Sequence, residues 1–182
     1  IIEDSGASAL IVEDQLVGAI EEIGADLPIV PQRRIIFGGG NLPAGFHAYE
    51  ALLAAASDRE PGVHIDPADP WAQMYTSGTT GRPKGAIRSH GASALLSLIT
   101  AIEFKLAARD TALLVMPMCH ANSLFFYGAF SYCGAVTAIY NRKSVDPEHL
   151  LAQLATSGAT FTSLVPTHYI MMLALSPAIR SK

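Results

Sequence analysis

Tyr75-Thr76-Ser77-Gly78-Thr79-Thr80-Gly81-Arg82-Pro83-Lys84-Gly85 is the stretch whose composition demands a chemical explanation. Gly78 and Gly81 let the backbone turn tightly and approach a ligand closely, while Thr76, Ser77, Thr79 and Thr80 offer hydroxyl hydrogen bonds. Lys84 adds a mobile positive charge. Successive N–H groups in such a loop form a concave anion site, which suits the stretch to holding a di- or triphosphate. The Walker A pattern is excluded, because Lys84 lies between Pro83 and Gly85 with no Ser or Thr after it.

Outward from this stretch, residues 71–76 read as a strand feeding the loop and 85–89 as a returning strand. Upstream, 9–12 is a β-type run, followed by a helix with Leu16, Ile20, Ile23 and Leu27 at helical spacing and Asp14 as its cap. Residues 34–37 form the next strand. It ends in Gly38-Gly39-Gly40, which fails the GxGxxG order and runs into Asn41-Leu42-Pro43, so a flexible connection is predicted. Phe46, Tyr49, Leu53 and Ala56 mark a helix face, and the polar, proline-containing segment 57–70 is the best internal boundary.

Downstream, a helix over 91–108 would turn Leu95, Leu98, Ile99, Ile102 and Leu106 inward, with Lys105 and Arg109 near its negative end. Strands follow at 113–116, 135–140 and 160–165. Asp146-Pro147-Glu148 starts a helix and Gly158 stops it. This alternation predicts an α/β fold, a mainly parallel layered sheet with flanking helices, and the phosphate stretch at the carboxyl end of a strand.

Charged residues make up 15% of the 182 residues, against about 25% in an average globular domain. A domain of this size should carry more charge, which predicts apolar surface that packs against protein outside this stretch of chain. The first residue is Ile1, and residues 1–6 read as a helix end closed by Gly6, so a partial domain is expected. A net charge of −4 argues against nucleic acid. Cys119 and Cys133 lack the density of a secreted scaffold, which points to a reducing cytoplasm. Residues 111–141 hold no Lys, Arg, Asp or Glu, yet Pro117, the polar run after it and Gly134 break them at intervals suited to strand, helix and strand.

Met116-Pro117-Met118-Cys119-His120-Ala121-Asn122-Ser123 also follows a strand and opens a helix, so its side chains are expected on the same rim as the phosphate stretch. Cys119 reads as a buried structural thiol, His90 as a structural residue at a helix start, and Glu21 and Glu22 as a solvated face. His47, His64, His149 and His168 show no metal-ligand spacing, and no metal site is predicted.

The order of residues around Gly78-Thr79-Thr80-Gly81 resembles the phosphate-loop signature of the adenylate-forming superfamily, which includes acyl-CoA synthetases, luciferases and the adenylation domains of peptide synthetases. The likeness covers essentially the whole chain, from Asp4-Ser5-Gly6-Ala7 to Val165-Pro166-Thr167, with only the phosphate stretch highly specific. It implies that residues 1–182 are part of an N-terminal AMP-binding domain whose C-terminal partner domain is absent. It implies a two-step ligase, in which a carboxylate attacks ATP and coenzyme A captures the acyl-adenylate, with magnesium accompanying the nucleotide. By that resemblance Thr76, Ser77, Gly78, Thr79, Thr80, Gly81 and Lys84 hold the phosphates, Lys84 and His120 serve catalysis, and His120 and Asn122 border the acid. The peptide-synthetase branch carries an aspartate beside this His motif; residues 111–141 here hold no acid, so a fatty or aryl acid fits better than an amino acid. The later family elements, a glutamate segment, a ribose-binding aspartate and a distal lysine, find no match, so residues 1–182 alone are expected to be inactive. The alternative is a non-catalytic phosphate- or acyl-binding module.

Overall fold

The computed structural model describes residues 1–76 and 81–180, which divide into two compact units. The first comprises residues 1–64 and the described residues within 75–86. Its opening helix α1 (Ile2–Ser5) closes on Gly6 at φ 63°, the left-handed cap expected there. Strand β1 (Leu10–Glu13) leads through a 3-10 turn into α2 (Val17–Glu21), then β2 (Arg34–Phe37), the two-residue strand β3 (His47–Ala48) and α3 (Tyr49–Ala55). The order β1-β2-β3 is parallel throughout, with Val12 opposite Ile36. Val12, Val17, Ile36 and Phe46 form the buried core, with Leu10 and Ile20 packed on it.

Three features of this unit differ from expectation. The helix after β1 is short, and its inward residues are Val17 and Ile20, while Leu16 and Ile23 are exposed. Gly24, at φ 58°, takes the chain out of the right-handed region before the predicted repeat can reach Leu27. Nor is Asp14 a cap: its Oδ2 accepts from the Gly40 N–H at 2.8 Å, across 26 residues of chain. The triple glycine is therefore a fitted turn rather than a flexible connection. Gly38 sits at φ 121°, and a Cβ there would lie 2.5 Å from Asp14 Cγ. We expect Gly38→Ala to cost about 2 kcal/mol, read as a lowered urea midpoint, from backbone strain and this clash. Gly39→Ala, which meets nothing within 4 Å, should be near neutral.

The second unit comprises residues 65–74 and the described residues from 87 onward. Strands β4 (Pro70–Thr76) and β5 (Lys84–Ser89) pair with each other and contribute to both units. Among the described residues they form a two-stranded sheet of their own, while the three-stranded sheet of each unit is parallel with flanking helices, as expected. Helix α4 (His90–Glu103) precedes β6 (Thr111–Leu114), α5 (Ala121–Tyr132), β7 (Val136–Ile139), α6 (Pro147–Thr156), β8 (Phe161–Thr162), α7 (Pro166–Leu173) and α8 (Pro177–Arg180). The order β7-β6-β8 is parallel. Central β6 is buried on both faces: Leu113 joins Tyr140, Leu150 and Met172, while Ala112 and Leu114 join Phe126 and Phe130. The uncharged run thus resolves into strand, helix and strand. Among the described residues no helix is long and apolar enough to cross a membrane.

Asp146 caps α6 as expected, accepting from the N–H groups of Glu148 and His149. Helix α4 departs from expectation. It ends at Glu103, and Lys105, at φ 53°, lies beyond it. Its buried face is not the leucine and isoleucine stripe but Thr100 and Ala101, with Ser97 on the same side. The hydroxyls of Ser97 and Thr100 donate to the carbonyls of Ser93 and Leu96 on their own helix, so their burial costs little. Small residues then let α5 come close: a Cβ on Gly128 would lie 2.8 Å from Ser97 Oγ. Leu95, Ile99 and Ile102 remain exposed.

Candidate functional site

Thr76 closes β4 and Lys84 opens β5, so the described ends of the candidate phosphate loop are set by a pair of strands. Ser77, Gly78, Thr79 and Thr80 lie outside the described residues. Gly81 sits at φ 80°, and a Cβ placed on it would meet nothing within 4 Å, a turn that leaves room for a ligand close to the main chain. Lys84 is exposed and forms no ion pair among the described residues. Its ammonium is available to an anion. One residue before Thr76, the Tyr75 hydroxyl donates to Asp4 Oδ2 at 2.6 Å, fastening the strand end to α1. Sequence reasoning missed this bond, since 71 residues separate the partners.

In the second unit, β6 runs out at Leu114 and the chain reaches α5 through a pinned turn. The His120 N–H donates to the Pro117 carbonyl at 2.9 Å, and the buried Ser123 hydroxyl donates back to the Met116 carbonyl at 2.5 Å. His120 is the N-cap of α5: its Nδ1 accepts from the Asn122 N–H at 3.2 Å. That bond fixes the ring and leaves Nε2 as the nitrogen free of this cap. Asn122 is half-buried, and its Nδ2 donates to Ser163 Oγ at 2.8 Å, just past β8. Sequence spacing offered no signal for Ser163, which reaches the site only through parallel pairing of β6 with β8.

One turn along α5 from Asn122, buried Phe126 meets Phe161 of β8 with ring centres 4.6 Å apart, and Phe104 packs edge-on against both. An aromatic floor thus lies on the helix face that carries Asn122. Thr76, Gly81 and Lys84 belong to the first unit, His120 and Asn122 to the second.

The remaining candidates have separate fates. Cys119 is exposed, not the buried thiol expected, because the turn before α5 points it outward while Ser123 takes the buried place. Glu21 and Glu22 are solvated, as expected. His90 opens α4 and its N–H donates to the Asp69 carbonyl. No group of three or more His, Cys, Asp and Glu side chains among the described residues is arranged to hold a metal ion.

Relatives share this framework. The chain is 30% identical, over an alignment 189 positions long that covers 100% of it, to a medium-chain-fatty-acid–CoA ligase of Ectopseudomonas oleovorans, of which the match covers 34%. It is 31% identical over 175 residues, 96% of the chain, to an indoleacetate–CoA ligase of Aromatoleum aromaticum, covering 33% of that protein. The chain thus spans about a third of the length of these relatives. In fold it is similar to the anthranilate CoA ligase AuaEII solved with anthranoyl-AMP, with a TM-score of 0.84, 22% identity, and 97% of this chain and 34% of that one covered. The model of the family described as AMP-binding enzyme matches residues 1–182, and the chain belongs to that family.

Proposed function

We propose that the intact protein is an AMP-forming acid–thiol ligase. A carboxylate oxygen attacks the α-phosphorus of ATP and pyrophosphate leaves; the thiol of coenzyme A then attacks the acyl carbon and AMP leaves. The observation that carries this reading is the stretch from Thr76 to Lys84, set between paired strands, with Gly81 in an uncrowded left-handed turn and Lys84 exposed at the head of β5. Negative charge accumulates on the departing pyrophosphate in the first step, and an ammonium aimed there stabilises the transition state more than the ground state. Magnesium would arrive on the nucleotide and neutralise part of the same charge.

For the acid, His120 and Asn122 are the residues we place beside the carboxylate and its tail. The absence of acidic side chains between Ala112 and Tyr140 supports an uncharged tail. Phe126 and Phe161, packed one turn below Asn122, support an aryl or short aliphatic acid over a long chain, because they fill the depth a long chain would need. The exposed stripe of Leu95, Ile99 and Ile102 supports a surface covered by the remainder of the intact protein.

Incubating the intact protein with ATP, magnesium, coenzyme A and a panel of aryl and fatty acids tests the reading by mass spectrometry. Acyl-CoA and AMP are the expected products. ATP binding with neither product would support the non-catalytic module instead. His120 separates its two roles by substitution. His120→Ala loses the cap and should cost about 1 kcal/mol of stability, whereas His120→Asn keeps a cap and should not. Both should slow thioester formation by about 10-fold or more, since neither replacement supplies a positioned imidazole beside the acid.

A further inference from the structure

A cavity of about 280 Å³ opens in the second unit between the N-terminal half of α4 and one side of α5. It is not the region assigned to the acid above. Leu124 and Gly128, on its wall, lie two residues beyond Asn122 and Phe126, and two residues turn a helix by about 200°, onto the other side. Tyr132, also on its wall, is about 18 Å along the axis from His120.

The lining combines charge with aromatic surface. Arg88 is half-buried there, and its side chain makes no ion pair or hydrogen bond among the described residues. The Ser93 hydroxyl oxygen is buried beneath the wall and is not reached from the cavity. His90 adds a ring nitrogen, and Trp71, Phe125 and Tyr132 supply aromatic walls. The end of α4 is not what would attract a ligand. Its first N–H groups are already engaged, His90 with Asp69 O, Gly91 with Pro67 O and Ala92 with Ser89 Oγ. The side chains carry the site.

We propose that this cavity is a second, separate binding site for a small carboxylate with an aryl body. A guanidinium presents a planar fork that matches a carboxylate with two parallel hydrogen bonds, better than it matches a neutral group of the same shape. The aromatic walls take the ring. The volume admits a single-ring acid with a short side chain and excludes a nucleotide. The proposal goes beyond the ligase reading and needs no turnover.

The test uses 3-phenylpropanoate as the probe and tryptophan fluorescence of the intact protein as the signal, with Trp71→Phe subtracted. We expect saturable quenching that depends on Trp71. Arg88→Met should weaken it at least 10-fold, and the neutral alcohol 3-phenylpropanol should bind at least 10-fold more weakly than the acid. His120→Ala should leave it unchanged. Because loss in Arg88→Met could reflect misfolding, Ala94→Phe provides a second variant: it fills the cavity from an exposed helix position and should abolish quenching while the melting temperature is maintained. The proposal is overturned if no Trp71-dependent quenching occurs, if the alcohol binds as tightly as the acid, or if a folded Arg88→Met or Ala94→Phe protein binds as before. Quenching without acyl-CoA formation would overturn the ligase reading and leave this site standing.

Discussion

Replacing Lys84 with alanine in the intact protein is expected to lower kcat/KM for acyl-adenylate formation by about 10²- to 10³-fold, the loss typical of removing one electrostatic contact to a developing anion. The side chain is exposed at the head of β5 and forms no ion pair among the described residues, so the fold does not depend on it. Unfolding should therefore stay within about 0.5 kcal/mol of the parent. The second half-reaction, started from synthetic acyl-adenylate and coenzyme A, expels AMP rather than pyrophosphate and should be much less affected. Lys84→Arg keeps the charge but spreads it over a planar fork, and should recover only part of the rate. An equal loss in both half-reactions, or none in either, would contradict the assignment of Lys84 to the phosphates. Single-turnover measurement of pyrophosphate release distinguishes these outcomes.

Phe126→Ala is expected to have the largest effect on stability, about 3–5 kcal/mol, as removal of a buried aromatic ring leaves a cavity as well as losing its transfer free energy. Phe126 is buried and touches the rings of Phe104, Phe125 and Phe161, and it joins Ala112 and Leu114 of the central strand. Its neighbours belong to separate elements and cannot easily collapse together. Phe126→Leu should lose less stability and allow the functional consequence to be read. If the aromatic floor limits the acid, the leucine variant should shift preference in kcat/KM toward longer acids by about 10-fold, the scale set by one or two methylene groups in an apolar pocket. Unchanged preference with the expected loss of stability would leave Phe126 a core residue and no more.

Much of this architecture was legible in short-range patterns. Gly6 closing α1, Arg34–Phe37 as a strand and Asp146 capping α6 each follow from local chemistry, in which a few neighbouring residues satisfy one another. The errors share a different cause. Asp14 has the composition of a cap, but it is engaged by Gly40 from a distant turn that no local pattern announces. The apolar stripe of α4 has the right spacing for an inward face, yet Ser97 and Thr100 face α5 because hydroxyls bonded to their own helix permit a closer approach.

The site was legible to the same degree. The place of His120 and Asn122 at a strand-to-helix junction was readable in the sequence, while the bond from Asn122 to Ser163 was not, since the distance between them is closed only by parallel strand pairing. Arg88, Ser93 and Trp71 carry no signature in sequence at all. They become a group only when β4, β5, α4 and α5 are placed together.

Carboxylate-dependent isotope exchange between pyrophosphate and ATP, catalysed by the intact protein without coenzyme A, tests adenylation itself. Exchange that appears only when an acid is added, with AMP and not ADP as the cleaved nucleotide, is the predicted result. Exchange that proceeds equally without acid, or ATP cleaved to ADP and phosphate, would contradict the account.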